Sequence, residues 1–309
     1  MSVWLAENRI FFGKDGLGAP QLKRYLNEVQ QGRVPITWWP FEEVGHNDAA
    51  NKEVQALFGK KAPFDTPKPV ALIKQMLLIA TNTNSEDIVM DFFAGSSTTA
   101  HAVMQLNAED GGNRKYICVQ IPEMCDEKSE AFKTGYKTIC EVGIDRMKLA
   151  GKKILEENAQ TELGDEEKKP LDIGFKVFKL DTSNLKTWDG TPIEDRQIDI
   201  FYERLNSMID TVKDDRTDMD VVYEVMLKMG IPLDVEVQYM EIGDKIAYIV
   251  GDFILMICLA KNITAEDIEN IAQYAPAKII CAEAGFADDS ALSNAHYILK
   301  DRAIELKLV

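Results

Sequence analysis

The sequence of 309 residues lacks any apolar run that approaches the roughly 20 residues a membrane-spanning helix needs. The longest apolar stretch, at 246–260, is interrupted by Gly251 and Asp252. The N-terminus has neither a basic start nor a long apolar segment, so no secretion signal is visible. With 46% hydrophobic and 28% charged residues, the composition is that of a globular protein, and we expect a cytoplasmic location.

Paired cysteines are also missing. The five cysteines are an odd number and none forms a C-x-x-C pair, which argues against a disulfide framework and against a zinc site. Reduced thiols, mostly buried, are the expected state, and the sequence predicts no metal site.

An excess of positive charge is absent, because the net charge is −16. Phosphate neutralisation supplies most non-specific affinity for DNA, so this chain alone is expected to bind DNA weakly. The charge is unevenly distributed: residues 1–80 hold 10 Lys and Arg against 8 Asp and Glu, whereas residues 81–309 hold 25 against 43. A DNA-facing surface would therefore use the first segment, although its basic residues are equally compatible with ordinary solvated charges; they are Lys14, Lys23, Arg24 and Arg33.

The most informative stretch is 86–123. The apolar run 88–90 predicts a strand buried on both faces, ending in Asp91. The chain then turns through Gly95, and Thr98 opens a predicted helix that is apolar at helical spacing and has Ser and Thr at its start as N-caps.

A second predicted strand covers 116–121 and is followed by Glu123. A strand, a glycine turn, a helix and a strand ending in an acid form a nucleotide-type site. The turn brings backbone N–H groups and a positive helix end close to a ligand, and the acid can hold ribose hydroxyls.

The sequence D-F-F-A-G-S-S-T-T at 91–99 resembles the S-adenosylmethionine motif of amino-DNA methyltransferases, whose usual form is D-x-F-x-G-x-G-T. Upstream, F-D-T-P-K-P at 64–69 resembles the family's second cofactor motif, and this order is that of the permuted β group. Three further segments, 38–39, 45–47 and 174–181, are similar in sequence to the modification (Mod) subunits of type III restriction-modification systems. The resemblance extends through essentially the whole chain.

This resemblance implies S-adenosylmethionine as the cofactor. It puts Thr66 and Lys68 beside the methionine carboxylate, Asp91 at the amino group, and Gly95 where the backbone approaches the ligand. The implied cofactor-binding residues are Thr66, Lys68, Asp91, Phe92, Phe93, Gly95, Ser97, Thr98 and Glu123.

Some of these roles have a plainer alternative. Asp91 is also suited to capping the turn, Lys68 to a solvated surface, and Phe92 and Phe93 to a core rather than an adenine wall. Ser97 stands where the usual pattern has its second glycine. If that position needs φ > 0, the serine costs on the order of 1 kcal/mol.

Four further residues have less specific signals. Trp38 and Trp39 are suited to a core more than to stacking on a base or adenine. His46 is compatible with either a ligand contact or a surface position, and His101 is expected to be a structural or helix-surface residue rather than a base.

A catalytic motif is missing from this resemblance. Amino-methyltransferases carry a D-P-P-Y-type loop that holds the target amine and stacks on the flipped base. The chain has 11 prolines and no two are adjacent. We therefore expect the S-adenosylmethionine-binding C-terminal part of an adenine-N6 Mod subunit, inactive alone; DNA, a second Mod subunit and the Res helicase-nuclease subunit are the implied partners. A non-catalytic assembly protein is the alternative, and a small-molecule methyltransferase is disfavoured by the permuted order.

The predicted fold class is α/β, with a partial, permuted Rossmann-like methyltransferase core and a second C-terminal α/β domain. We expect an N-terminal core segment at 1–45, the cofactor-binding region at 46–160 and a docking domain at 161–309, because 152–170 is polar without an apolar stripe. Predicted strands are 4–12, 173–180, 235–240, 245–250, 253–259, 278–281 and 304–308, and predicted helices are 49–58, 70–80, 131–150, 197–213, 218–229, 264–274 and 290–299.

Overall fold

The computed structural model describes residues 2–29, 32, 34–59, 61–161, 171–192 and 198–309. The chain divides into two compact units, residues 1–174 and residues 175–309. This division lies beyond the predicted boundary at 160/161. Ile173 packs against Gly151, which attaches it to the first unit. The predicted linker residues 162–170 lie outside the described part of the chain.

The first unit is mainly helical around two small sheets. Strands β1 and β2 pair antiparallel, and β3 and β4 pair in parallel. Its described elements are α1 (Ser2–Ala6), β1 (Ile10–Phe11), β2 (Gln21–Leu22), a 3-10 helix (Leu26–Glu28), α2 (Phe41–Val44), α3 (Asn47–Phe58), α4 (Val70–Ala80), β3 (Ile88–Asp91), α5 (Thr98–Asp110), β4 (Lys115–Cys118), α6 (Glu130–Lys133) and α7 (Ile139–Thr161).

Helices α4 and α5 cover one face of the β3–β4 pair. Helix α4 has the predicted bounds, and Pro69 precedes it as its N-cap. The shared core contains Val70, Leu77, Ala102, Val103 and Leu106, with Val89 of β3 and Tyr116 of β4 packed against it. Helix α4 therefore packs on the β3–β4 pair together with α5.

The prediction that strand 88–90 is buried on both faces is wrong. Ile88 is 63% exposed and Met90 is 49% exposed, whereas Val89 between them faces the helices. Ile117 of β4 is also exposed. Alternation along a strand puts these side chains on the face opposite the helices, and that apolar face stays open to solvent among the described residues.

Three other predictions for the first unit need correction. Residues 2–6 form a helix and only 10–11 a strand, so the predicted strand over 4–12 is mostly wrong. The predicted helix 131–150 is divided into α6 and α7, with Gly135 at φ 102° between them. Trp38 is 78% exposed, so it does not belong to a core.

The second unit contains one mixed sheet of five strands in sequence order. The pairs β5–β6 and β6–β7 are antiparallel, and β7–β8 and β8–β9 are parallel. Its described elements are α8 (Ile198–Ser207), α9 (Asp218–Lys228), β5 (Val237–Ile242), β6 (Lys245–Val250), β7 (Leu255–Cys258), α10 (Ala265–Ala272), β8 (Lys278–Cys281), a 3-10 helix (Glu283–Gly285), α11 (Asp289–Asp301) and β9 (Glu305–Leu308).

Both faces of this sheet are packed. One buried cluster joins the strands to α10 and α11, and a second joins them to α9. Strands β6 and β8 have the predicted bounds. The predicted strand at 173–180 is wrong: Lys176 Nζ donates to the carbonyls of Leu233 and Val235, and the Phe178 ring lies edge-on to Tyr223, 4.9 Å between centroids.

The five cysteines are all free thiols, as expected, but only Cys258 and Cys281 are buried, whereas Cys118, Cys125 and Cys140 are partly exposed. The expectation that the thiols are mostly buried is therefore wrong. No helix in the described part of the chain is both long enough and apolar enough to cross a membrane.

Candidate functional site

The turn between β3 and α5 begins at Asp91. One carboxylate oxygen of Asp91 accepts the backbone N–H of Phe93 at 3.0 Å, and the other accepts the Thr99 hydroxyl at 2.6 Å. The carboxylate therefore caps the turn. Each oxygen can accept more than one hydrogen bond, so this capping leaves capacity for a ligand amino group.

Gly95 and Ser97 shape the turn. Both have positive φ, 50° at Gly95 and 60° at Ser97. Ser97 is the N-cap residue of α5 in the left-handed region, and its side chain makes no capping hydrogen bond, contrary to the prediction of a side-chain cap. The backbone geometry thus matches a second-glycine position, and the serine carries a cost of about 1–2 kcal/mol there.

Gly143 allows helix α7 to approach this turn closely. A Cβ built on Gly143 would lie 2.7 Å from the Ser97 hydroxyl oxygen and 3.2 Å from the Gly95 carbonyl oxygen. Such distances leave no room for a side chain. Gly143 is a site residue that the sequence analysis did not find.

Two protein groups already contact Gly95. Its N–H donates to Gln120 Oε1 at 2.7 Å, and the Phe64 ring lies 3.2 Å from the position of a Cβ built on Gly95. Phe64 comes from the segment 64–69, so the fold brings the second predicted motif to the turn. The N–H that was expected to face a ligand donates to a side chain instead.

Gln120 also changes the assignment at the end of β4. Strand β4 ends at Cys118, and Gln120 is the second residue after that end. The predicted ribose-binding Glu123 is the fifth residue after Cys118 and is exposed. Gln120 is the first polar side chain after the apolar run that begins at Tyr116. That position in the sequence was the signal that could have identified it.

Arg146 lies beneath the turn, on α7. It is fully buried, and its Nη1 donates to the hydroxyls of Ser96 and Thr98, both at 2.7 Å. Burial lowers the pKa of the guanidinium to about 10, so it is charged at neutral pH. The sequence analysis did not find it, although a charged residue within the buried stripe of Val142 and Met147 is a usable signal.

The remaining predicted residues are at the surface. Phe92 is 62% exposed and Phe93 is 85% exposed, so neither belongs to a core. Thr66 and Lys68 are exposed as well. The fold therefore joins Asp91, Gly95, Ser97 and Thr98 in one turn and leaves the other predicted side chains open to solvent around it.

Comparison with known proteins identifies this region. Residues 6–134 match the model of the DNA methylase family named N6_N4_Mtase. This region is therefore similar to a DNA methylase domain, and residues 6–134 are called the methylase-like region below.

The chain is similar to Mod subunits of type III restriction-modification enzymes. It is 38% identical to the StyLTI Mod subunit of Salmonella typhimurium, over 60% of this chain and 26% of that protein. It is 33% identical to the EcoP15I Mod subunit of Escherichia coli, over 58% of this chain and 24% of that protein. It is 36% identical to the EcoPI Mod subunit of Escherichia phage P1, over 53% of this chain and 24% of that protein. The chain thus spans about a quarter of the length of the curated relatives it matches.

The two histidines of the methylase-like region, His46 and His101, are placed by helices α3 and α5. His46 is the N-cap of α3, because its Nδ1 accepts the Ala49 N–H at 3.2 Å. His101 is buried within α5, and burial, followed by the charge of Arg146, lowers its pKa to about 3. His101 is therefore neutral at pH 7.

Three of the four basic residues that were predicted to face DNA lie in the described part of the chain. Lys14 and Arg24 are exposed, and Lys23 Nζ donates to Asn8 at 3.1 Å. Arg33 lies outside the described residues. The DNA-facing role of these four residues stays a prediction. Within the described ranges no group of three or more His, Cys, Asp or Glu residues is arranged to hold a metal ion.

Proposed function

We propose that the chain is the S-adenosylmethionine-binding portion of a site-specific adenine-N6 DNA methyltransferase of the type III Mod kind. The observation that supports this most is the turn from Asp91 to Thr99 with two left-handed backbone positions, inside the methylase-like region. Such a turn keeps side chains away from the ligand path and points a helix N-terminus at the ligand.

In this proposal the residues of the turn bind and orient the cofactor. Asp91 accepts from the ligand amino group, Gly95 gives close backbone approach, and Thr98 begins the helix whose positive end faces the carboxylate. Phe92 and Phe93, which are both exposed, wall the adenine. When bound, S-adenosylmethionine supplies the methyl group that is transferred to adenine N6.

The ribose role is reassigned within the proposal. Gln120 stands nearer the turn than Glu123 and already contacts Gly95. An amide oxygen accepts from ribose hydroxyls as a carboxylate does, with a weaker, uncharged bond. Thr66 and Lys68 remain proposed neighbours of the methionine carboxylate, because Phe64 of the same segment reaches the turn.

Catalysis needs polypeptide beyond this chain. No two prolines are adjacent, so the chain has no D-P-P-Y-type loop to hold a flipped adenine. The open face with Ile88, Met90 and Ile117 is the type of parallel-sheet face that other elements normally cover. We infer that the loop and those covering elements belong together, and that DNA is bound by the complete enzyme. The second unit would then be an α/β docking domain for a second Mod subunit or a Res subunit.

A second candidate is an assembly protein that uses the methylase fold without a ligand. It is favoured by the contacts at Gly95: the Phe64 ring packs against it and Gln120 accepts its N–H, so the backbone of the turn is satisfied by protein groups. Under the first proposal, a ligand must displace at least one of these two contacts.

Calorimetric titration with S-adenosylhomocysteine distinguishes the two candidates. We expect the wild-type chain to bind, and Gly95→Ala to abolish binding, because a Cβ at φ 50° is strained and meets Phe64 at 3.2 Å. Gly111→Ala is the matched control: it puts the same strain at φ 70°, at the C-terminus of α5, where a Cβ meets nothing within 4 Å.

The outcomes are separable. Binding that is lost in Gly95→Ala and kept in Gly111→Ala supports a cofactor site at the turn. No binding by the wild type at millimolar ligand supports the assembly protein. A methylation assay on DNA tests the missing loop, since robust transfer by this chain alone would contradict the inactivity that we propose.

A further inference from the structure

Two opposite charges flank the turn between β3 and α5. The carboxylate of Asp91 lies at its beginning and bonds to the Thr99 hydroxyl at 2.6 Å. The guanidinium of Arg146 lies at its end and bonds to the hydroxyl of the neighbouring Thr98 at 2.7 Å. The negative group and the positive group therefore bond to two adjacent threonines, Asp91 to Thr99 and Arg146 to Thr98.

The positive group is only partly satisfied. Nε and Nη2 of Arg146 are buried and have no hydrogen-bond partner in the described part of the chain. Glu53 is the carboxylate whose field acts on Arg146, but Glu53 Oε2 accepts the Val70 N–H at 3.2 Å. A buried guanidinium without a carboxylate partner is costly, and such charges normally have a counter-charge.

The helix end adds to the same field. Helix α5 runs for 13 residues from Thr98, so the positive end of its dipole lies at the same hydroxyl that Arg146 contacts. Its field and the guanidinium charge favour an anion at this end of the turn. Asp91 favours a cation at the other end.

We propose that Arg146 is a positioning residue that holds the end of the turn through Ser96 and Thr98 and selects ligands whose amino-acid end carries a carboxylate. The inference rests on the proposed function and specifies it further. The ligand class is a zwitterionic α-amino acid attached to a nucleoside, with its ammonium toward Asp91 and its carboxylate toward α5 and Arg146. Arg146 acts through the turn and through its charge, and it does not contact the reacting atoms.

The test compares two ligands that differ by one carboxylate: S-adenosylhomocysteine and its decarboxylated analogue. The measured quantity is the ratio of their dissociation constants, with the weaker ligand measured by competition. Arg146→Met removes the charge at similar length, and Arg146→Lys keeps it. Lys148→Met removes a charge from an exposed position of the same helix and is the matched control.

We expect the wild type and Lys148→Met to prefer the carboxylate-bearing ligand by roughly tenfold or more, as a charge several ångströms away in a partly dry site gives. In Arg146→Met the ratio should fall to roughly one, and Arg146→Lys should restore part of it. If Arg146 had a purely structural role, Arg146→Met would weaken the binding of both ligands equally and leave the ratio of their dissociation constants unchanged. That result would overturn this inference while the proposed function stands. A wild type that binds neither ligand would overturn the proposed function itself. Thermal unfolding of each variant shows whether a change in ratio occurs in folded protein.

Discussion

The contact between α7 and the turn gives the sharpest prediction. Gly143→Ala adds one methyl group 2.7 Å from the Ser97 hydroxyl oxygen and 3.2 Å from the Gly95 carbonyl oxygen. Overpacking of this kind costs about 1–3 kcal/mol. Alanine gains about 1 kcal/mol over glycine inside a helix. We therefore expect Gly143→Ala to lower the free energy of unfolding by about 1 kcal/mol.

Removal of the opposing side chain should reverse this loss. Ser97→Gly relieves the left-handed conformation, worth about 1–2 kcal/mol, and adds backbone entropy to the unfolded chain, worth about 0.5–1 kcal/mol. A net gain of about 0.5 kcal/mol follows. In the double variant only the Gly95 carbonyl still opposes the new methyl group. The two changes should therefore be coupled by about 1–2 kcal/mol in favour of the double variant.

Urea unfolding followed by tryptophan fluorescence measures this cycle. Three of the four tryptophans lie in the first unit, and a Trp188→Phe background removes the one in the second. The helix-propensity term cancels in the cycle, so the coupling reports the contact alone. Additivity of the two changes within about 0.5 kcal/mol would refute the close approach of α7 to the turn.

The other predictions concern the polar groups around the site. Gln120→Ala should raise the dissociation constant of S-adenosylhomocysteine, measured by calorimetry, at least fivefold, whereas Glu123→Gln should change it less than twofold. The reverse order would restore the ribose role to Glu123. Arg114→Met should cost about 2–3 kcal/mol in urea unfolding, because the guanidinium is buried and makes four hydrogen bonds, three to α5 and one to Thr81 at the end of α4; a loss below 0.5 kcal/mol would contradict that network. The pKa of His101 is lowered to about 3 by burial and then by Arg146, so its stabilising contribution is complete above pH 6.5 and is lost as the pH falls toward 3. Between pH 6.5 and 5 the wild type should lose about 2 kcal/mol of unfolding free energy that His101→Gln does not lose, and equal slopes would show that His101 protonates in the folded state.

Local signals in the sequence were sufficient for the elements that carry the site. The apolar spacing of 70–80 determined α4 to the residue, and the Thr98 start of α5 was also predicted correctly. Both follow from helical periodicity and from a proline or a turn before the first helical residue, and these are properties of neighbours in the chain. The motif at 91–99 identified the turn for the same reason.

Alternation alone was not a reliable signal. Residues 173–180 alternate like a strand, yet they lie outside any strand, because Lys176 and Phe178 contact a loop and a helix rather than a sheet edge. A strand requires a partner with free N–H and C=O groups, and the presence of that partner is not encoded in the alternating segment itself.

The sequence by itself determined a strand, a turn and a helix in the order typical of a methylase cofactor motif. Only the tertiary structure decided which side chains surround that turn. Gln120, Gly143 and Arg146 lie 25 to 50 positions from the turn residues they approach, and no local pattern links residues so far apart. Packing of α7 and β4 against the turn brings them there, because burial of the apolar faces of these elements fixes where the polar groups between them must lie.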